Sequence, residues 1–144
     1  MNWQIVKHKD KPYIKDDGGR FKEFNIKPLE KNMINDCAIR AIAIALDQSY
    51  RRTRDDLFQI AMDICDMPNS PKVYEPYLES KGWIKNKPPR RINNRKVEVR
   101  NLHIDKAIIR TSKHLTAMIN GTVLDTWDCT PWCANSYYTP KETA

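Results

Sequence analysis

The sequence has no apolar run long enough to span a membrane. Residues 1–11 mix charged and polar side chains, without the apolar stretch of a secretion signal. Cysteine occurs only at Cys37, Cys65, Cys129 and Cys133, which does not resemble the framework of a disulfide-stapled secreted domain. Histidine is limited to His8, His103 and His114, and glutamine to Gln4, Gln48 and Gln59. Internal repeats and low-complexity segments are missing. The expectation is therefore one soluble domain over residues 1–144, cytoplasmic and with reduced thiols. A chain of 144 residues can bury a core without staples.

Charge of one sign is also missing from most of the chain. Lys/Arg and Asp/Glu cancel over residues 1–80 and again over 101–144. The net charge of +7 comes from residues 81–100, where eight Lys/Arg face Glu98 alone. Within this basic loop segment, Lys85, Lys87, Arg90, Arg91, Arg95 and Lys96 are candidates for contact with an acidic protein or nucleic acid. Such a segment also serves as a solvated loop that keeps a protein soluble.

The secondary-structure signals are uneven. An N-terminal hairpin is expected within residues 1–30, because Tyr13-Ile14 and Phe21–Phe24 flank Asp16-Asp17-Gly18-Gly19. Residues 37–46 carry Ile39, Ile42, Ala43 and Leu46 at helical spacing, with Asn35 or Asp36 as cap. Its many alanines permit close packing, which suits a central helix. A second helix is expected from Arg54 to Cys65 with Thr53 as cap, and a third from Pro71 to Gly82. Trp83 should pack back on the core, followed by a loop over 84–96. Val97–Val99 reads as a strand and Ile104–Arg110 as a short helix. Leu115–Ile119 and Thr122–Trp127 read as a hairpin around Asn120-Gly121. The tail from Cys129 reads as irregular.

Cys37 opens the alanine-rich helix. A thiol attacks as the thiolate, a form favoured by the positive end of a helix and by a neighbouring imidazolium. His114 is the candidate imidazole. Counting outward from Asn120-Gly121 pairs Thr116 with Asp125 and His114 with Trp127. His114 and Asp125 then share a face as diagonal neighbours, whereas Asp128 falls on the other face. Asp125 is the better candidate to orient the imidazole.

The run Asn35-Asp36-Cys37-Ala38-Ile39-Arg40-Ala41 and the run from His114 through Gly121 to Asp125-Thr126-Trp127-Asp128 resemble the papain-like cysteine peptidase superfamily, in its small bacteriophage-type members. The resemblance covers about residues 32–130. It implies an α+β papain-like fold, with N-terminal helices packed on a mainly antiparallel β-sheet. It also implies Cys37 as nucleophile, His114 as general base and acid, and Asp125 as orienting residue. Peptide or isopeptide hydrolysis follows, with a protein or peptide substrate, no cofactor and no metal, in the host cytoplasm if the protein is phage-encoded. Many members carry a glutamine shortly before the cysteine; here Asn32 or Asn35, with the backbone amide of Cys37, would serve the oxyanion. The alternative is a catalytically degenerate member that binds a host protein or nucleic acid through residues 81–100.

The remaining candidates carry blander readings. Cys65 is expected in the core. Cys129-x-x-x-Cys133 lacks a second ligand pair and reads as packing or a redox-labile pair rather than half of a zinc site. Trp127, Trp132, Tyr137 and Tyr138 either wall a cleft near Asp125 or cover a sheet edge.

Overall fold

Helices on one face and long loops on the other enclose a mixed sheet in the computed structural model, which describes residues 4–5, 13–25, 35–88, 90–91 and 93–141. In chain order the elements are β1 (Gln4–Ile5), β2 (Tyr13–Lys15), α1 (Arg20–Phe24), α2 (Cys37–Leu46), α3 (Tyr50–Ile64), α4 (Pro71–Ser80), β3 (Trp83–Asn86), a 3-10 turn at Val99–Asn101, β4 (Leu102–His103), β5 (Lys106–Arg110), β6 (Leu115–Ile119), β7 (Thr122–Asp125) and β8 (Ser136–Pro140). The six-stranded sheet runs β2-β7-β6-β5-β8-β3, and β1 pairs separately with β4. Only the β2–β7 pair in the larger sheet is parallel. The class is α+β. No helix among the described residues is long and apolar enough to cross a membrane.

Side-chain alternation sorts the sheet into two cores. Ile108, Leu115, Ala117 and Tyr138 face the helices and meet Ile39, Ile42, Leu57, Tyr74 and Leu78. Ala107, Ile109, Met118, Val123 and Tyr137 face the loops and meet Val97, Val99, Leu102, Ile104 and Cys129. Because strands β5 and β6 are buried on both faces, they read as nearly continuous apolar runs. The alanines of α2 let it sit between α3 and the sheet, buried almost all round, as a central helix should be.

The Asn120-Gly121 turn has both residues at positive φ, 52° and 76°, as a type I′ turn requires. Its pairs are Ile119 with Thr122, Met118 with Val123 and Ala117 with Leu124, the register counted from the sequence.

Several expectations fail for physical reasons. There is no hairpin around Gly18-Gly19, because Phe21 and Phe24 lie on helix α1 and β2 pairs with β7 instead. Asp17 Oδ2 accepts from the amide of Phe21, starting a helix where a return strand was expected. Gly18, at φ 73°, lies against the backbone of Arg40 so closely that a Cβ would sit 3.0 Å from its Cα. Helix α3 begins at Tyr50, capped by Ser49 Oγ, not at Arg54 capped by Thr53. Glu23 accepts from the amides of Tyr50 and Arg51 at 2.6 and 2.9 Å, a second cap supplied by α1.

Lys106–Arg110 is a strand, not a helix, since it pairs with β6 on one side and β8 on the other. The expected Val97–Val99 strand reduces to one bridge at Glu98 and the 3-10 turn. Part of the expected 84–96 loop is strand β3, and part of the irregular tail is strand β8, its partner. Cys65 is exposed at φ 58° past the end of α3, not in the core.

Candidate active site

Cys37, His114 and Asp125 converge where the sheet ends. Parity puts His114 and Asp125 on the face opposite the helices. They still meet α2 because His114 precedes the first residue of β6 and Asp125 is the last of β7, so no further strand separates the layers there. The β5–β6 connection fixes His114: its carbonyl accepts from the amide of Thr111 at 2.9 Å. His114 and Cys37 line one cleft of about 360 Å³, with the Trp127 ring tilted against the imidazole at 4.7 Å between centroids.

Imidazole Nε2 and Asp125 Oδ2 lie 2.5 Å apart, and both side chains are buried. Burial opposes charge on the imidazole. The hydrogen bond to Asp125 outweighs it, with help from the thiols of Cys129 and Cys37, and raises the His114 pKa well above its ordinary value. Burial likewise raises the Asp125 carboxyl, and its hydrogen bond and ionic attraction to His114 overcome this and hold it low. Both shifts favour the imidazolium–carboxylate form of the pair. With Nε2 committed to Asp125, Nδ1 is the ring nitrogen left for the cleft.

Asp125 has no idle oxygen. Oδ1 accepts from the Thr126 amide at 2.7 Å and lies 3.4 Å from Arg40 Nη2, while Oδ2 takes His114 and the Cys129 thiol at 3.7 Å. Arg40, only 4% exposed, also binds Asp36 Oδ1 one helical turn earlier, and the Tyr50 hydroxyl donates to Asp36 Oδ2 at 2.8 Å. A buried chain therefore runs Tyr50–Asp36–Arg40–Asp125–His114. It was missed in the sequence, although Asp36 and Arg40 stand at the i,i+4 spacing of a helical ion pair.

Asp36 makes no side-chain cap to α2, contrary to expectation, because its carboxylate is spent on Arg40 and Tyr50. Asn69, just before α4, does the capping. Its Oδ1 accepts from the Ala38 amide at 3.2 Å and lies 3.7 Å from Cys37 Sγ; its Nδ2 donates to the Asn35 carbonyl at 2.7 Å. These backbone partners fix which way the amide points. No local pattern marked a cap 31 positions away from its helix. Among the described residues nothing accepts from the Cys37 amide at the helix start. Of the two asparagines proposed for the oxyanion, Asn35 is exposed at the cleft and Asn32 lies outside the described residues.

A metal-like grouping exists in the same place. Donor atoms of His114, Asp125 and Cys129 lie within 4.8 Å of one another. Two ligands of one tetrahedral zinc stand about 3.3 Å apart, so a His114–Asp125 contact of 2.5 Å leaves no room for an ion between them. Cys133 is exposed and is not part of the grouping.

The basic segment is elsewhere. Lys85, Lys87, Arg90, Arg91, Arg95 and Lys96 are exposed, and none lines the cleft of Cys37. Lys85 pairs with Glu75 at 3.0 Å, and Lys96 donates to Asn135 Oδ1 at 2.5 Å. Of the aromatic candidates, Trp127 walls the cleft and Trp132 meets its ring edge to face, while Tyr137 and Tyr138 are buried on opposite faces of β8.

Searches against family models, curated proteins and solved structures find no match to the chain.

Proposed function

We propose that the protein is a papain-like cysteine hydrolase of peptide or isopeptide bonds. The observation that carries the reading is the buried His114–Asp125 pair, closed at 2.5 Å, lining one cleft with a cysteine that opens a central helix. An imidazolium favoured by Asp125 suits an ion pair with a thiolate better than it suits proton abstraction.

Cys37 Sγ attacks the substrate carbonyl carbon, and the Cys37 amide donates to the oxyanion that forms. His114 gives its proton to the leaving amine as the C–N bond breaks, leaving a thioester. Neutral His114 then takes a proton from water, hydroxide attacks the thioester, and the acid product departs as the thiolate and imidazolium re-form. Asp125 keeps the ring oriented and supports its charge throughout.

The chain supplies its own controls. Cys65 and Cys133 are exposed, Cys129 is fully buried, and Cys37 lies between. Iodoacetamide at neutral pH, read by peptide mapping, should modify Cys37 faster than either exposed thiol, and Cys37→Ala should abolish cleavage of peptide or isopeptide substrates. Equal rates at the three accessible cysteines would remove the basis for the proposal.

A second reading is a binding protein that docks an acidic protein or nucleic acid on residues 81–100. It is favoured by Lys87, Arg90 and Arg95, which are exposed and have no acidic partner among the described residues.

A further inference from the structure

The cleft beside Cys37 is built from positive charge with no counter-charge in its wall. Arg40, Arg110, Lys113 and His114 line it, and among its described lining residues there is no Asp or Glu. Arg40 and His114 are neutralised from behind by Asp36 and Asp125. Arg110 and Lys113 are not: neither makes an ion pair among the described residues. Glu75 is close enough to sense Arg110, but its carboxylate is taken by the Tyr138 hydroxyl at 2.6 Å and Lys85 at 3.0 Å.

Arg110 and Cys37 line the same cleft, and so does Tyr74. Arg110 has the same strand parity as Ile108, on the helix face, and pairs with Leu115 at the strand ends beside His114. The first residues of two ten-residue helices, Cys37 of α2 and Pro71 of α4, line the same cleft and add their positive ends. Arg40 Nε, buried, has no acceptor among the described residues. Residues this concentrated around one nucleophile focus a field on whatever reaches it.

We propose that this cleft selects substrates carrying a carboxylate next to the bond that Cys37 attacks, with Arg110 and Lys113 as the groups that recognise it. This specificity rests on the hydrolase reading for its substrate, but the charge preference at Cys37 does not need turnover. Two sources supply such a carboxylate, an acidic side chain or a free chain terminus, and both present the same group to the same two cations.

The test compares iodoacetate with iodoacetamide at Cys37, at low ionic strength, with peptide mapping as readout. The two reagents share a leaving group and differ in charge, so their rate ratio cancels the thiolate fraction. The ratio should exceed that of a free model thiol by about fivefold, the scale of two unit charges a few ångströms apart in a watery cleft, and should fall as salt is added. Lys113→Gln, at an exposed position, should reduce the ratio, and Arg110→Gln should reduce it further. A ratio equal to that of the free thiol, or one unmoved by both substitutions, would overturn the proposal.

Peptide pairs then separate the two readings and the two sources. Glu-for-Gln exchange beside the scissile bond tests a side-chain carboxylate, and free acid against C-terminal amide tests a terminus. Anionic labelling preference without cleavage of any peptide sustains the carboxylate site and sinks the hydrolase. Cleavage indifferent to charge in both pairs sustains the hydrolase and sinks the carboxylate site.

Discussion

Two charge-rich regions of this molecule behave in opposite ways. Around the cleft, Asp36, Arg40, Asp125 and the side chain of His114 are buried, and each carboxylate oxygen of Asp125 has more than one partner. In residues 81–100 the cations are exposed, and Lys87, Arg90 and Arg95 make no ion pair among the described residues. A charge in the interior holds a position because leaving it unpaired is expensive. A charge in water holds none, and contributes a field that salt can screen. The first region is therefore built for geometry and the second for steering, although the second owns the whole net charge.

The sharpest way to break that contrast is Arg40→Met. It strands Asp36 and Asp125 without their shared cation, and stability should drop by about 3–5 kcal/mol in urea unfolding. Adding Asp36→Asn to that variant should recover part of the loss, because one of the stranded charges is gone. A loss under about 1 kcal/mol, the scale of an exposed pair, would mean that the network is no more structural than a surface ion pair.

The His114–Asp125 pair predicts a pH window. The carboxyl of Asp125 is held low, so its contribution is present above its unfolded value near about 4 and is lost as pH falls through the folded value. The imidazole of His114 is held high, so its contribution is full below its unfolded value near about 6.5 and is lost as pH rises through the folded value. The stability gap between the wild type and His114→Gln should be widest between these limits and should narrow from neutral pH upward. Urea midpoints at three pH values measure it; a gap that widens with pH contradicts the pairing.

Asn69→Ala comes next. It removes the acceptor for the first-turn Ala38 amide and should cost about 1 kcal/mol, read as a shift in the urea midpoint. It should also change the Cys37 alkylation rate, since the same oxygen touches the thiol. The smallest effect belongs to the exposed region. Arg90→Gln with Arg95→Gln should leave the melting temperature unchanged, and should lower both the affinity and the salt slope for any polyanionic partner.

The parts of the fold legible in the sequence are those set by local rules. Residues 37–46 are a helix because their periodicity is strong, and the Asn120-Gly121 turn dictates its own register. That register is what placed His114 beside Asp125. The illegible parts depend on partners far away in the chain. Ala107-Ile108-Ile109 is apolar on both faces, so it shows neither helical nor alternating period. Strands β3 and β8 are strands because they find each other across about fifty residues. Gly18-Gly19 makes a good turn, but the turn packs on Arg40 rather than closing a hairpin. Asn69 is the site's clearest omission. A cap from another element leaves no mark near the helix it serves.

The position of β8 between β5 and β3 governs when this protein can finish folding during synthesis. Among the described residues Trp83–Asn86 pairs with Ser136–Pro140 alone, so it emerges from the ribosome long before its neighbour exists. During that interval Trp83–Asn86 lacks its strand partner, and the edge of β5 that will receive β8 is bare. Such exposed, apolar strand edges are where nascent chains go astray. Truncation before Ser136 would leave Cys37, His114 and Asp125 all present on a sheet that cannot close.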